Sequence, residues 1–131
     1  KAIQMSEGTD VSIIARGHLT WHAVEAAQAL EAEGISVDLI NIHTIMPLDE
    51  AAILASVART GCVVTAEEHQ IIGGLGSSVA QVVAQHHPSP MAFVGMEDCF
   101  GESGKPDQLL AKYNMGTSNI IAKAKAVMAK K

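Results

Sequence analysis

Cys62-Val63-Val64-Thr65, then Ala66, then Glu67-Glu68-His69-Gln70-Ile71-Ile72-Gly73-Gly74-Leu75-Gly76-Ser77, is the stretch on which the fold turns. Its apolar run reads as a buried parallel strand, and beyond the glycines Leu75, Val79, Val82 and Val83 recur at helical spacing. Strand, charged tip, glycine-rich turn and helix follow in that order. In an open α/β sheet, ligands and partners meet the fold in the crevice at the carboxyl ends of the strands, which makes residues 67–77 the first candidates for function.

The same alternation continues on either side. Residues 2–5 read as a short first strand, residues 6–10 as a turn, and Val11-Ser12-Ile13-Ile14-Ala15 as a second strand. A helix after Gly17 carries Leu19, Ala23, Ala26, Ala27 and Leu30 on one face, with Gly34 just past its end. Residues 37–42 form the next strand, and Asp49 then N-caps a helix with Ile53, Leu54 and Val57 that stops at Gly61. Beyond the central helix, His86-His87-Pro88 ends the element, residues 91–95 make a last strand and residues 106–112 a short helix. Thr117 or Ser118 is expected to cap a final helix with Ile120, Ile121, Ala124, Val127 and Met128 inward. Such alternation needs helices on both faces of a mainly parallel sheet. The short link between the first two strands makes the first one antiparallel.

A chain of 131 residues supports one core, so residues 1–131 are expected to be a single domain. With 48% apolar residues it is not a disordered chain. Its net charge of −5 is spread out, and Lys123, Lys125, Lys130 and Lys131 mark only a lysine-bearing C-terminal helix, which argues against nucleic acid as a partner. No apolar run reaches the ~20 residues needed to span a bilayer. Cys62 and Cys99 are not in C-x-x-C spacing, and they read as buried thiols in a reducing, cytoplasmic protein. The start at Lys1, inside a strand and without methionine, reads as an excised domain or a fragment of a longer polypeptide.

Three motifs in register carry a family resemblance. Glu67-Glu68-His69 with Gly73-Gly74-Leu75-Gly76-Ser77 resembles the signature loop of the C-terminal domain of transketolases. Ile45-Met46-Pro47-Leu48-Asp49 resembles that family's proline-leucine-aspartate corner, with Met46 where lysine is frequent, and residues 100–106 resemble its late loop. The likeness extends from about Lys1 to Met128. The 1-deoxyxylulose-5-phosphate synthases and the β subunits of 2-oxo acid dehydrogenases carry the same domain; His69 and the Gly101-to-Pro106 loop tilt the likeness toward transketolase proper. The resemblance implies a three-layer α/β/α sandwich on a mixed, mostly parallel five-stranded sheet. It also implies an enzyme that moves a two-carbon ketol unit between sugar phosphates with thiamine diphosphate and Mg²⁺. The partners it implies are the other transketolase domains or an N-terminal subunit, within a homodimer.

The glycine-aspartate-glycine signature for the Mg²⁺-diphosphate is missing from the chain, and the family's pyrimidine-facing glutamate belongs to the preceding domain. The isolated chain is therefore expected to be inert and to bind no cofactor or metal of its own. His18 and His22, four apart on one helix, have metal spacing but no intervening glutamate, so they read as surface residues. His86 and His87 fit a helix C-terminus, where the dipole favours cations. Glu67, Glu68 and His69 have acid/base chemistry to offer, yet alternation along a strand lets at most two share a pocket, and interface duty is the preferred reading. Gly73, Gly74 and Gly76 open a helix whose N–H groups are able to hold a small anion or a partner beside Ser77, which leaves a free-standing binding module as the alternative. The preferred reading is a tight strand-to-helix turn, with Gly74 held at positive φ.

Overall fold

The computed structural model describes residues 2–43, 47–67, 74–95 and 116–131. Strands β2 (Val11–Ala15) and β4 (Val63–Ala66) are buried at every position, as expected for the middle of a parallel sheet covered on both faces. They lie within the order β1-β3-β2-β4-β5, where β3 is Val37–Ile42, β5 is Met91–Val94 and β1 is Ala2–Ser6. All neighbours are parallel except β1, which runs antiparallel on β3.

The antiparallel sense of β1 agrees with the short link, but its neighbour is β3 and not β2. The link crosses the start of β3 instead of closing a hairpin. Gly8 lies so close to it that a Cβ there would sit 2.3 Å from the Val37 carbonyl carbon. The Gly8 N–H donates to Asp38 Oδ1 at 2.9 Å, and the Ser36 N–H donates to Asp10 Oδ2 at 2.7 Å. Only a residue without a side chain permits that approach.

Alternation along the strands divides the core in two. Val11, Ile13, Ala15, Leu39, Val64 and Ala66 pack under helices α1 (Leu19–Ala32) and α4 (Thr117–Met128). On the opposite face Ile14, Ile40, Ile42 and Val63 pack under α2 (Glu50–Thr60) and α3 (Leu75–His86). The result is the expected three-layer α/β/α sandwich with a mixed five-stranded sheet.

Helix ends fall where the sequence places them, with Gly34 at φ +86° and Gly61 at φ +80°. Asp49 caps α2 by accepting from the Ala52 N–H at 3.2 Å, and its other oxygen accepts from the Ala2 N–H of β1 at 3.1 Å. His87 ends α3 by donating its backbone N–H to Val83 at 2.9 Å. The cap of α4 is Gly116, not Thr117 or Ser118. The short helix expected over residues 106–112 and the late loop at residues 100–106, like Cys99, lie outside the described residues. No helix among the described residues is long and apolar enough to cross a membrane.

At the amino edge of the sheet the α2-facing core is polar. Asp38 is fully buried and accepts from Arg59 Nη2 at 3.0 Å, Arg59 Nε at 3.2 Å, the Gly8 N–H and the Ser56 hydroxyl. Ser12 Oγ lies 2.7 Å from Ser56 Oγ and 2.6 Å from Thr60 Oγ1, which extends the network into β2. Among the described residues, no buried side-chain nitrogen or oxygen lacks a partner.

Candidate functional site

Helix α3 begins without a capping side chain. Its N-cap is Gly74, and no side-chain hydrogen bond is made from that position. The first N–H groups of a helix have no partner within it, and burying them unpaired is costly. Glu67, one residue past the end of β4, supplies the acceptor. Its Oε1 accepts from the Leu75 N–H at 2.9 Å and its Oε2 from the Gly76 N–H at 2.8 Å. The residue is 2% exposed. A carboxylate buried this far is stabilised by both donors and by the positive end of the helix dipole.

The backbone at the end of β4 is held as well. The Glu67 N–H donates to the Val94 carbonyl of β5 at 3.0 Å, and the Arg16 N–H at the end of β2 donates to Ala66 at 3.0 Å. Thr65, two residues before Glu67, faces the same layer. A Cβ on Gly76 would stand 3.1 Å from Thr65 Oγ1 and 2.7 Å from Phe93 Cδ1. The helix start therefore presses against the ends of β4 and β5, and Gly76 is the glycine that this contact requires.

Gly74 does not have the conformation expected of it. Its φ is −102° and its ψ −154°, extended backbone open to any residue. The positive-φ expectation for Gly74 is thereby corrected: the turn needs space at Gly76, not left-handed backbone at Gly74. Of the remaining candidates, Ser77 lies half-buried in the first turn of α3, while Glu68, His69 and Gly73 fall outside the described residues.

The role of Glu67 is the feature that sequence reasoning missed. A signal was available: a helix opening on glycine, without Ser, Thr, Asp or Asn as cap, needs an acceptor from elsewhere, and the adjacent carboxylates Glu67 and Glu68 stand just before it at the strand end. With both oxygens engaged by backbone donors, Glu67 acts as a clamp and is poorly placed to take a proton from a substrate.

A second polar contact joins α1 to α4 above the same edge. Thr117 Oγ1 donates to Glu25 Oε1 at 2.9 Å and lies 3.0 Å from His22 Nδ1. With the Thr117 proton directed to Glu25, the Thr117 oxygen accepts from His22 in its Nδ1–H tautomer. His18 stands edge-on to His22, ring centroids 5.9 Å apart. At the far end of α3, His87 Nδ1 is 3.0 Å from Ser89 Oγ.

The family resemblance implies thiamine diphosphate and Mg²⁺, and the described residues do not fit that group. Among them no three His, Cys, Asp or Glu side chains come together in a way that could hold a metal ion. The α3 N–H groups that a diphosphate would seek are bound to Glu67. No chemical step is therefore assigned to the cofactor within this domain.

Residues 1–120 match the family model described as the transketolase C-terminal domain. The chain is 42% identical over its whole length to the 6-deoxy-6-sulfo-D-fructose transketolase subunit SqwH of Clostridium sp. (strain MSTE9), covering 41% of that protein. It is 40% identical, over 93% of its length, to a putative transketolase C-terminal section of Methanocaldococcus jannaschii (strain ATCC 43067 / DSM 2661 / JAL-1 / JCM 10045 / NBRC 100440), of which it covers 37%. To 1-deoxy-D-xylulose-5-phosphate synthase 1 of Geobacter sulfurreducens (strain ATCC 51573 / DSM 12127 / PCA) the identity is 38% over 97% of the chain, which covers 20% of that enzyme. Among solved structures, a split gene transketolase described as an inactive beta4 tetramer superposes with a TM-score of 0.93 at 42% identity, over 98% of this chain and 42% of that one. The chain thus spans about two fifths of the length of the subunit-type relatives that it matches, or less. Likeness of sequence over the full length and of fold over nearly all of it leads to one conclusion: this chain belongs to the transketolase C-terminal domain family.

Proposed function

We propose that this chain serves as the C-terminal domain of a thiamine-diphosphate-dependent transketolase that moves a two-carbon ketol unit between sugar phosphates. In this reading the parent is divided between two polypeptides, and the domain supports assembly instead of performing chemistry. The observation that carries the proposal is the likeness, at 42% identity and a TM-score of 0.93, to a chain of a split gene transketolase. The cofactor and Mg²⁺ are held by the remaining domains, and Glu68 and His69, next to the Glu67 clamp, contribute to contacts within a dimeric enzyme. A free-standing anion-binding module is the weaker reading, because Glu67 already fills the start of α3.

Two measurements test this. The chain alone, titrated calorimetrically with thiamine diphosphate and Mg²⁺, should give no micromolar binding and no ketol transfer in a coupled assay. The parent subunit, combined with the polypeptide that carries the remaining transketolase domains, should transfer ketol units. Turnover by the isolated chain would overturn the assignment of the chemistry to other domains. Formation of 1-deoxy-D-xylulose 5-phosphate by the assembled enzyme would move the chain to the synthase branch, one member of which is 38% identical to it.

A further inference from the structure

We infer that the groove between β1 and α1 is the seat of the domain that precedes this one in the parent polypeptide. The inference rests on the proposed transketolase reading and names the surface through which the chain joins the rest of its subunit.

Among the described residues the exposed large apolar side chains are Ile3, Met5 and Trp21. They converge on one groove. Ala2 packs into the core under α2, and Gln4 accepts from Arg59 of α2, so Ile3 between them faces the α1 side. On α1, Trp21, Val24, Gln28 and Glu31 recur at helical spacing and form a single stripe. Met5 meets that stripe across a hollow of about 430 Å³, lined also by Ala27 and Leu39. Ile3 and Trp21 mark its carboxyl end: Ile3 pairs with Asn41 of β3, whose Oδ1 accepts from Thr20, the neighbour of Trp21, at 3.1 Å. Apolar side chains gathered along a groove mark an interaction surface, whereas scattered ones do not.

The face of β1 invites docking, and its edge does not. Pairing with β3 shifts between Gln4 and Ser6, and Gln4 Nε2 donates to the Ser6 carbonyl at 2.6 Å. An irregular edge of this kind resists the addition of another strand.

Connectivity selects the occupant. The matching family is a C-terminal domain, and the chain covers 41% and 37% of two subunit-type relatives. On the proposed reading most of the parent therefore precedes residue 1 and enters at Ala2, beside Ile3. That entry point is anchored, since the Ala2 N–H donates to Asp49 Oδ2 at 3.1 Å. A domain delivered there is held over the groove at high effective concentration. A second copy has no such tether, and two copies of net charge −5 repel each other. Of the described residues lining the hollow only Glu31 is charged, and its Oε2 accepts from the Val37 N–H at 3.2 Å. The surface that seats there is therefore mainly apolar.

The test uses the full parent subunit, with and without its partner polypeptide. Met5→Cys is labelled with a maleimide and its rate read by peptide mass spectrometry, beside Ala126→Cys on the exposed side of α4 as an open reference. Labelling reports the fraction of time that the groove is open, so Met5→Cys should react about a hundredfold or more slower than the reference. This protection should hold at every protein concentration and without the partner polypeptide. Adding Trp21→Ala should raise the Met5→Cys rate by about thirtyfold, the ratio that corresponds to one interface hot spot lost. Trp21 is 67% exposed within the domain, so its truncation spares the core; Ile3→Ser is the second variant if circular dichroism shows otherwise. Labelling of Met5→Cys at the reference rate, protection that grows with concentration, protection that needs the partner polypeptide, or no acceleration in either variant would each overturn the inference. No ketol-transfer assay enters these readouts, so a parent whose groove is covered but which transfers no ketol unit refutes the transketolase reading alone.

Discussion

Asp38 shows how a single buried charge is made tolerable. Burial alone pushes its carboxyl group up, but hydrogen bonds from Arg59, Ser56, Gly8 and Gln4 outweigh burial and hold it below the usual carboxylate range. A carboxylate whose pKa is lower folded than unfolded adds stability that is fully present above the unfolded value, about 3.9, and is lost as pH falls through the folded one. Asp38→Asn should therefore cost about 2–4 kcal/mol at neutral pH, by the usual cost of breaking a buried pair and with Arg59 still able to reach water. Denaturant midpoints measured from pH 7 downward should show wild type losing stability below about pH 4 and the variant much flatter there. An equally steep acid limb in the variant would mean that other carboxylates set it. Nothing in the local sequence announced this network. Asp38 stands in an apolar run read only as a strand, and its partners Gly8, Ser56 and Arg59 are 30, 18 and 21 residues away. Apolar periodicity reports which face is buried, not which distant donors converge on it.

The succession of β4 and α3 was legible as to type and order, because a short continuous apolar run gives way to apolar residues at helical spacing. Which glycine mattered was not. The constraint at Gly76 comes from Phe93 and Thr65, side chains of two strands that are neighbours only in the folded sheet. Gly76→Ala should destabilise the domain by about 1–3 kcal/mol, the usual cost of forcing volume into a packed contact. Gly74→Ala, at extended φ and in a cap position without a side-chain bond, should cost less than about 1 kcal/mol. Thermal or denaturant melts of the two variants decide the matter, and the reverse order would return the strain to Gly74. The start of α4 teaches a related lesson. Thr117 has the right chemistry for a cap, but its hydroxyl is used across the layer, on Glu25 and His22 of α1, and Gly116 takes the cap position.

At the scale of the molecule, one sheet carries a core on each face. Neighbouring residues of β2 report on each separately: Ile13 packs under α1 and α4, Ile14 under α2 and α3, and both are fully buried. The fold class was legible because the alternation of strands and helices, together with handed crossovers, leaves few arrangements open. The polar edges were not, since Asp38 at the amino edge and Glu67 at the carboxyl edge depend on contacts made only after the layers close. If the layers form one cooperative unit, damage to either core should unfold both. Ile13→Ala and Ile14→Ala should each cost about 2–5 kcal/mol, as for a large-to-small change in a packed core. In both variants the loss of helical circular dichroism should coincide with loss of exchange protection in all four helices of the described residues, as in a two-state transition. Should Ile14→Ala release α2 and α3 while α1 and α4 stay protected, the two faces would be separate folding units. The Glu67 clamp, which belongs to the α3 layer, would then open without unfolding the rest, and its hold on the start of α3 would be a local equilibrium instead of a property of the whole domain.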